Sequence, residues 1–559
     1  MKKNDKKKLY IIIAAATAVI LIVLLVVLLS QCGGEQTTDP TEATGQSAAA
    51  TDEKTTTGAP TGAQTEAPTS ETTVKTPTEP AHQHTFGPWT VLSEPTCLTP
   101  GEHERACTEC GCVQKEEMPP LGHDGQNNEC VRCGKKALTA DHLQFSSYPY
   151  GEGLWITKVQ NIDEPDLLIP DVLDGQSVTC VAARVFEEDE TIETISLPDS
   201  VTQLGTFTFY ICPNLRMIRF GKYIGNQYTS ITGYCPSIDY LVVPPENTLI
   251  HSDHNCVIET ESKRLLYGCR NSIIPDDGSV LILGFTAFQD CTGLTSIVVP
   301  SPVTTIENCA FNSCHNLVSI EIADSVTSIG DQTFLFCKSL KNVRLPAHLK
   351  ELNTELFEYC EALEEITIPD EVEEIYSGCF DGCKALKTVR LPESLKIINN
   401  YAFRECSSLE SITLPAGLTH LGEVFKGCSS LRCIEIPDGI EELYTGAFLN
   451  CTSLVEVKMP KYVYGIPRLL FKGCTSLTSV IIPDGANRIE QYAFSGCTAL
   501  KSVTIPTSVK YIEEDIFEDC PTTIVVNYRG SAEDWAKIRI NSDNGELKKV
   551  RIVYNYKGE

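Results

Sequence analysis

Hydrophobic and polar positions follow a frame that returns about every 23 residues over the C-terminal half of the chain. In-frame phenylalanines occur eleven times from residue 288 to residue 517; nine of the ten intervals are 23 residues and one is 22, and a cysteine follows each phenylalanine three residues later. Within one copy, Leu409, Ile412 and Leu414 have the spacing of a short strand with one buried face, and Pro415 ends it because proline cannot donate to a β ladder. A fixed period this short predicts a solenoid in which each coil covers the apolar face of the next.

The repeated unit reads Ile-x-x-x-Ala-Phe-x-x-Cys-x-x-Leu-x-x-Ile-x-Ile-Pro, as in Ile489, Ala493, Phe494, Cys497, Leu500, Val503, Ile505 and Pro506. This frame resembles the BspA-like leucine-rich repeat of bacterial cell-surface proteins. The resemblance implies a mainly β solenoid of coils of about 23 residues over 138–523, with a longer, irregular coil at 255–272 and a C-terminal cap at 524–559. It also implies a non-catalytic role in adhesion to, or recognition of, proteins or glycans.

The cysteines of the repeat are predicted to be structural. Eleven thiols at one equivalent position, from Cys291 to Cys520, have no natural pairing scheme. Free cysteine behaves as a small buried hydrophobe. We therefore expect a ladder of buried free thiols with neither a redox role nor a metal.

The N-terminus carries a membrane signal. Five lysines lie in the basic tail 1–8, and residues 9–29 form an uncharged run of 21 residues. As a helix this run would be about 31 Å long, which matches a bilayer core of about 30 Å. The lysines predict that the tail is cytoplasmic and that the bulk of the chain is extracellular. The alternative is a cleaved lipoprotein signal with Cys32 acylated; we favour the uncleaved anchor because Gln31 is larger than the residue expected before such a cysteine.

Residues 30–83 are dominated by threonine, alanine, proline and acidic side chains. A segment with so few large apolar residues cannot bury enough surface to fold, which predicts a disordered linker. Both interpretations of the N-terminus place the chain outside the cell beyond this linker.

Residues 84–137 contain a concentration of cysteine and histidine residues that could bind a metal. Two Cys-x-x-Cys-Gly motifs, Cys107 with Cys110 and Cys130 with Cys133, are separated by 19 residues. Four thiolates at that spacing suit tetrahedral zinc, which predicts a small zinc-ribbon-like module with one structural ion. Additional or substitute ligands are present in the same segment: His84, Cys97, Cys112 and His123.

Alternatives for this segment remain open at the level of sequence. Cys97 or His123 would serve as ligands in place of one Cys-x-x-Cys-Gly motif, and an exported segment also permits disulfides. A catalytic zinc is disfavoured because no open coordination position or nearby carboxylate base is implied.

Charge and motif content narrow the function further. The net charge is −29 and the repeats have no basic stripe, so nucleic acid is not an expected ligand. The sequence contains no Gly-x-Ser-x-Gly, His-Glu-x-x-His or phosphate-binding loop, which disfavours an enzyme. Two functions from different classes remain: a membrane-anchored surface protein that binds an extracellular protein or glycan, and a structural envelope scaffold or spacer without a specific ligand.

Overall fold

The computed structural model describes residues 84–149, 151–225 and 230–558. The basic tail, the membrane span and the linker predicted over 1–83 lie outside the described residues. Within the described ranges, no helix has the length and apolar character needed to cross a bilayer. From residue 138 onward, the described chain forms stacked β coils, as the period predicts.

Each coil contributes a short strand to a first parallel ladder. Strands in neighbouring coils pair in register one repeat apart, so that Ser296 lies opposite Ser319 and Ser479 opposite Ser502. The central residue of each strand is directed into the core, and the residues on either side of it face outward. The strands of this ladder are Asp166–Leu168, Thr194–Ser196, Met217–Arg219, Tyr240–Val242, Ser296–Val299, Ser319–Ile322, Asn342–Arg344, Glu365–Thr367, Thr388–Arg390, Cys433–Glu435, Glu456–Lys458, Ser479–Ile481, Ser502–Ile505, Val525–Tyr528 and Arg551–Val553.

A second parallel ladder follows the turn after the first strand of each coil. Its strands are mostly two residues long, because only one inward-pointing side chain is needed before the chain turns again. They are Gln176–Val181, Gln203–Leu204, Arg264–Tyr267, Ile282–Leu283, Thr305–Ile306, Ser328–Ile329, Glu351–Leu352, Glu374–Ile375, Ile397–Ile398, His420–Leu421, Arg488–Ile489, Tyr511–Ile512 and Arg539–Ile540. A third, short ladder joins Phe186–Glu187, Phe209–Tyr210 and Thr232–Gly233.

The in-frame phenylalanines form one continuous stack in the core. From Phe288 to Phe517 the ring centroids of successive coils are 5.0–5.9 Å apart, and all but the last pair are close to parallel. The rings are essentially inaccessible to solvent. Each ring is therefore packed by the rings of the coils before and after it, which is how a solenoid transmits stability between neighbours.

The repeat cysteines are free thiols, and from Cys314 to Cys497 they are buried. Ten of these eleven thiols also have a polar partner that the sequence does not reveal. From Cys314 to Cys520, Sγ donates to the carbonyl oxygen of the in-frame phenylalanine of the preceding coil, at 3.0–3.2 Å. Burial raises the pKa of the in-frame thiols from Cys314 to Cys474, as at Cys406, so these thiols stay protonated and able to donate.

The irregular coil predicted at 255–272 is an antiparallel excursion. Ile250–Asp253, Cys256–Glu259 and Arg264–Tyr267 pair as a meander, and the last of these strands rejoins the second ladder. The hydrophobic core divides into two clusters in this region. The residues of one cluster end at residue 269, and those of the other begin at residue 256.

Both ends of the solenoid carry additional elements. At the N-terminal end, the 3₁₀ helix Ala140–His142 leads into Leu143–Ser147, which pairs antiparallel with Leu154–Val159, and Val172–Leu173 pairs with the strand after it. At the C-terminal end, Val525–Tyr528 is followed by the α-helix Ala532–Trp535. The Trp535 ring packs edge-on against buried Tyr528 at 5.1 Å and thereby contacts the hydrophobic core.

The segment 84–137 forms small antiparallel sheets. Thr90–Ser93, Gly101–Ala106 and Val113–Met118 make a three-stranded sheet, and Gly125–Gln126 with Glu129–Cys130 make a short hairpin. The strand Thr90–Ser93 is exposed along its whole length. We call residues 84–137 the cysteine module.

Candidate functional site

The cysteine module brings its candidate ligands together in two clusters. In the first, which we call the exposed cluster, His84, Cys107, Cys110 and Cys112 direct one ligand atom each toward a common centre. The hairpin turn after Gly101–Ala106 supplies the three cysteines, and Cys107 accepts the backbone N–H of Gly111 while donating its own N–H to the carbonyl of Cys112. Gly111 has a φ of +70°, which is the conformation that this tight turn requires.

The second cluster, which we call the buried cluster, contains Cys97, His123, Cys130 and Cys133. Cys97, His123 and Cys130 are buried, whereas Cys133 is exposed. Burial disfavours the thiolate of Cys130, but backbone N–H groups of Cys133 and Arg132, together with the His123 side chain, outweigh this and lower the pKa of Cys130. A thiolate is the form in which cysteine binds metal.

Most ligand separations are close to those of tetrahedral zinc. Zn–S bonds of about 2.3 Å and Zn–N bonds of about 2.0–2.1 Å give S···S edges of about 3.8 Å and N···S edges of about 3.5 Å. In the buried cluster Cys97 Sγ and Cys130 Sγ are 3.9 Å apart, and His123 Nδ1 lies 3.2 Å from Cys133 Sγ. In the exposed cluster His84 Nδ1 lies 3.4 Å from Cys110 Sγ and 3.4 Å from Cys112 Sγ, whereas Cys110 Sγ and Cys112 Sγ are 3.2 Å apart, which is shorter than a tetrahedral S···S edge. Within each cluster all four ligand atoms lie within 4.8 Å of one another.

This arrangement differs from the single site expected from the two Cys-x-x-Cys-Gly motifs. Cys107 and Cys110 belong to the exposed cluster, and Cys130 and Cys133 belong to the buried cluster. Each motif completes its own set of four with residues expected only as additions or substitutes, namely His84, Cys97 and His123, together with Cys112. The physical reason is that the fold brings one histidine and one additional cysteine to each motif, so each motif has four ligand atoms close together without the other motif.

His123 connects the buried cluster to the solenoid. Its Nε2 lies 2.7 Å from Asp166 Oδ2 in the first strand of the first ladder, and its backbone N–H donates to Ser196 Oγ at 2.9 Å. Asp166 also accepts from the hydroxyl of Thr194. Burial disfavours the carboxylate of Asp166, but hydrogen bonds from His123 and Thr194 outweigh this and lower the pKa of Asp166, so this carboxylate is ionised. No sequence motif points to Asp166, which lies 43 residues beyond His123.

Further contacts join the module to the third and fourth strands of the first ladder. Asp124 pairs with Arg219 at 3.4 Å, and Glu117 accepts from the hydroxyl of Tyr240. Beyond these strands, Glu116 lies 3.3 Å from His254 in the antiparallel excursion. The module therefore lies along the outward side of the first four strands of the first ladder.

Burial along this outward side, which we call the strand face, shows what the module covers. Ser196 and Arg219, at one outward position, are 0% and 4% exposed. The residue at the same position in the coil of Ser296–Val299 is Val298, which is 56% exposed. The outward residues of most later strands are exposed as well, from Asn342–Arg344 to Ser479–Ile481. The strand face is thus covered over its first four strands and open from Ser296–Val299 to Ser479–Ile481, whereas Thr504 in Ser502–Ile505 is buried again.

The open strand face contains a depression of about 920 Å³ between residues 319 and 390. Its rim carries charges of both signs: Arg344 forms a bidentate pair with Asp324, Arg390 lies 3.7 Å from Asp370, and Glu371 pairs with His348. The guanidinium of Arg344 lowers the pKa of Asp324. Both arginines remain well exposed, so they retain donors for a ligand.

Comparison with known proteins gives the family. The profile of the BspA type leucine rich repeat region matches residues 172–261, 262–387, 374–483 and 465–534, which together make up well over half of the chain. The chain belongs to this family. Leucine-rich repeat proteins of this kind are interaction scaffolds, so membership indicates a role in protein binding or recognition. The resemblance inferred from the repeat is therefore confirmed.

Solved structures include similar chains. A leucine rich cell surface protein from Faecalibacterium prausnitzii A2-165 is 24% identical, with a TM-score of 0.39, and the match covers 73% of this chain and 99% of that one. A leucine-rich repeat protein from Bacteroides ovatus is 23% identical, with a TM-score of 0.45 and coverage of 75% and 99%. No curated protein matches the chain.

Proposed function

We propose that the chain is a membrane-anchored surface protein that recognises an extracellular protein or glycan through the open strand face. The observation that carries this is the change in exposure along one ladder: equivalent outward positions are buried under the module at Ser196 and Arg219 and are exposed at Val298 and Ile481. The open part offers paired but accessible charges around a shallow depression, which is a surface suited to binding.

This proposal predicts a localised effect of removing two arginines. The full-length chain, screened against matrix proteins, glycans and cell-wall material, is expected to bind a ligand, and the double variant Arg344→Ala, Arg390→Ala is expected to bind it at least tenfold more weakly. Each arginine presents a planar set of donors that alanine cannot replace. Surface plasmon resonance measures the affinities.

A matched control removes two exposed cations from outside the depression. Lys384 pairs with Glu361 and Lys396 pairs with Glu373, and none of these four residues lines the depression. The variant Lys384→Ala, Lys396→Ala has the same charge change and is expected to bind as tightly as the unmodified chain. Equal weakening by both variants would contradict a strand-face site, and a screen without any ligand would favour the structural scaffold or spacer.

The cysteine module supports this role as a zinc-stabilised unit. Three cysteines and one histidine whose ligand atoms lie within 4.8 Å of one another are a donor set that selects Zn²⁺, and four protein ligands leave no open position for catalysis. Zinc here is structural and holds the fold of residues 84–137.

The anchor proposal concerns residues 9–29. An uncharged run of 21 residues behind five lysines supports a single retained span, with the bulk of the chain outside the cell. Mass spectrometry of the N-terminus from isolated membranes is expected to detect peptides that precede Cys32. A mature chain that begins at an acylated Cys32 would instead establish the lipoprotein alternative.

A further inference from the structure

The buried cluster and the exposed cluster differ in what surrounds them. The buried cluster lies against the strand face of the solenoid, and Cys97 and Cys130 form one apolar cluster with Ala137 of the module and Leu168 of the first ladder. This inference rests on the zinc binding proposed above and extends it to the solenoid.

We propose that the cluster of Cys97, His123, Cys130 and Cys133 is a zinc site shared with the solenoid, in which Asp166 fixes the metal-binding histidine and the bound ion holds the module over the first four strands of the strand face. His123 faces the thiol of Cys133 with Nδ1 and Asp166 with Nε2. Nδ1 is therefore the ligand atom, and Nε2–H donates to the carboxylate. A carboxylate in this position sets the tautomer and ring orientation of a zinc-binding histidine and strengthens it as a ligand.

The backbone of the module beside the buried cluster packs closely against side chains of the solenoid. Gly122 has a φ of +66°, and a Cβ atom there would lie 2.5 Å from Cδ of Arg219. A Cβ atom at Gly125 would lie 2.9 Å from Cδ1 of Leu168. Arg132 donates to the carbonyl of Gly122 at 2.8 Å and thereby ties the second Cys-x-x-Cys-Gly motif to this approach.

Hydrogen bonds from Asn128 and Leu138 also join the module to the solenoid. Asn128 and Asp171 exchange hydrogen bonds, from Asn128 N–H to Asp171 Oδ1 at 2.7 Å and from Asp171 N–H to Asn128 Oδ1 at 3.0 Å. The backbone N–H of Leu138 donates to the carbonyl of Leu168 at 2.9 Å. These contacts all depend on the conformation of 122–138, which the four ligands cross-link. Loss of the ion therefore releases the module and uncovers the strand face beneath it.

The test compares one ligand variant from each cluster in the full-length, zinc-loaded chain. Metal analysis is expected to find two zinc ions per chain, and one in each of Cys133→Ser and Cys110→Ser. Hydrogen exchange is expected to speed up at Asp166–Leu168 and Thr194–Ser196 in Cys133→Ser but to be unchanged there in Cys110→Ser. If the unmodified chain held two ions but the amides of these solenoid strands exchanged at the same rate in both variants, the shared site would be overturned while zinc binding itself would stand. A chain without zinc, or with Cys97 and Cys130 oxidised to a disulfide, would overturn both.

A second pair of variants tests Asp166 without removing a ligand. Asp166→Asn is expected to keep two ions but to lose the buried one to a competing chelator at about 10- to 100-fold lower chelator concentration. Glu164→Gln removes a neighbouring carboxylate that pairs with Lys135 and is expected to leave zinc retention unchanged. Equal retention by Asp166→Asn and the unmodified chain would show that Asp166 does not support the site.

Discussion

Replacing Phe403 with alanine is expected to destabilise its coil by about 3–5 kcal/mol, since the change removes a fully buried ring and leaves a cavity. The ring stacks on Phe380 at 5.3 Å and on Phe425 at 5.9 Å, so both neighbours lose packing as well. Because a solenoid does not unfold as one two-state unit, the appropriate measurement is local hydrogen exchange. The backbone N–H groups of Tyr401 and Phe403, which bond to the next coil, are expected to lose protection first.

Cys406→Ala is the matched control from the same coil. It removes a smaller volume and one S–H donor to the carbonyl of Phe380 at 3.1 Å. That carbonyl also accepts the backbone N–H of Cys383, so it is not left without a partner. The expected cost is about 1 kcal/mol. Damage equal to that of Phe403→Ala, or oxidised repeat cysteines in the unfolded, unreduced chain, would contradict the structural role of these thiols.

The solenoid was predictable because large apolar side chains recur at a fixed period along the sequence. Phenylalanine and cysteine at fixed offsets specify which positions face inward, and the first strand follows from the spacing of leucine and isoleucine. The hydrogen bond from each thiol to a phenylalanine carbonyl was not predictable. It joins residues 25 or 26 positions apart, and its existence depends on how the turns of adjacent coils superimpose.

The candidate metal ligands were predictable as a set but not in their grouping. The sequence identified both Cys-x-x-Cys-Gly motifs and the histidines near them, and it favoured one ion between the motifs. The structure assigns Cys107 and Cys110 to one cluster and Cys130 and Cys133 to the other. The hairpin of Gly101–Ala106 and Val113–Met118 decides this, because it brings Cys112 back beside Cys107. Sequence spacing alone does not specify such a return.

The covering of the strand face was hidden from the sequence for a similar reason. Its contacts join residues that are far apart, such as Asp124 with Arg219 and Glu117 with Tyr240. None of these residues belongs to a recognisable motif. A buried arginine such as Arg219 is unusual, and its burial becomes apparent only when the module is in place.

Chelating the metal from the full-length chain is expected to unfold the cysteine module while leaving the phenylalanine stack intact. Its recognisable apolar core has four residues, one of them Leu168 of the solenoid, and the three-stranded sheet is largely exposed. Such a core contributes little, whereas binding of structural zinc supplies about 10–16 kcal/mol at neutral pH. Amides of Gly101–Ala106 and Val113–Met118 are therefore expected to exchange at rates close to those of an unfolded peptide once the metal is removed.

The same experiment has an internal control, because the in-frame cysteines of the coils from Phe311 to Phe494 are free thiols that donate to carbonyl oxygens. Their amides are expected to keep full protection in chelator, since their stability comes from stacked rings and parallel ladders rather than from an ion. Cys107→Ser is expected to reproduce the loss in the three-stranded sheet without chelator. If that sheet stayed protected in the metal-free chain, its hydrogen bonds alone would be holding it, and zinc would have no structural role in the module.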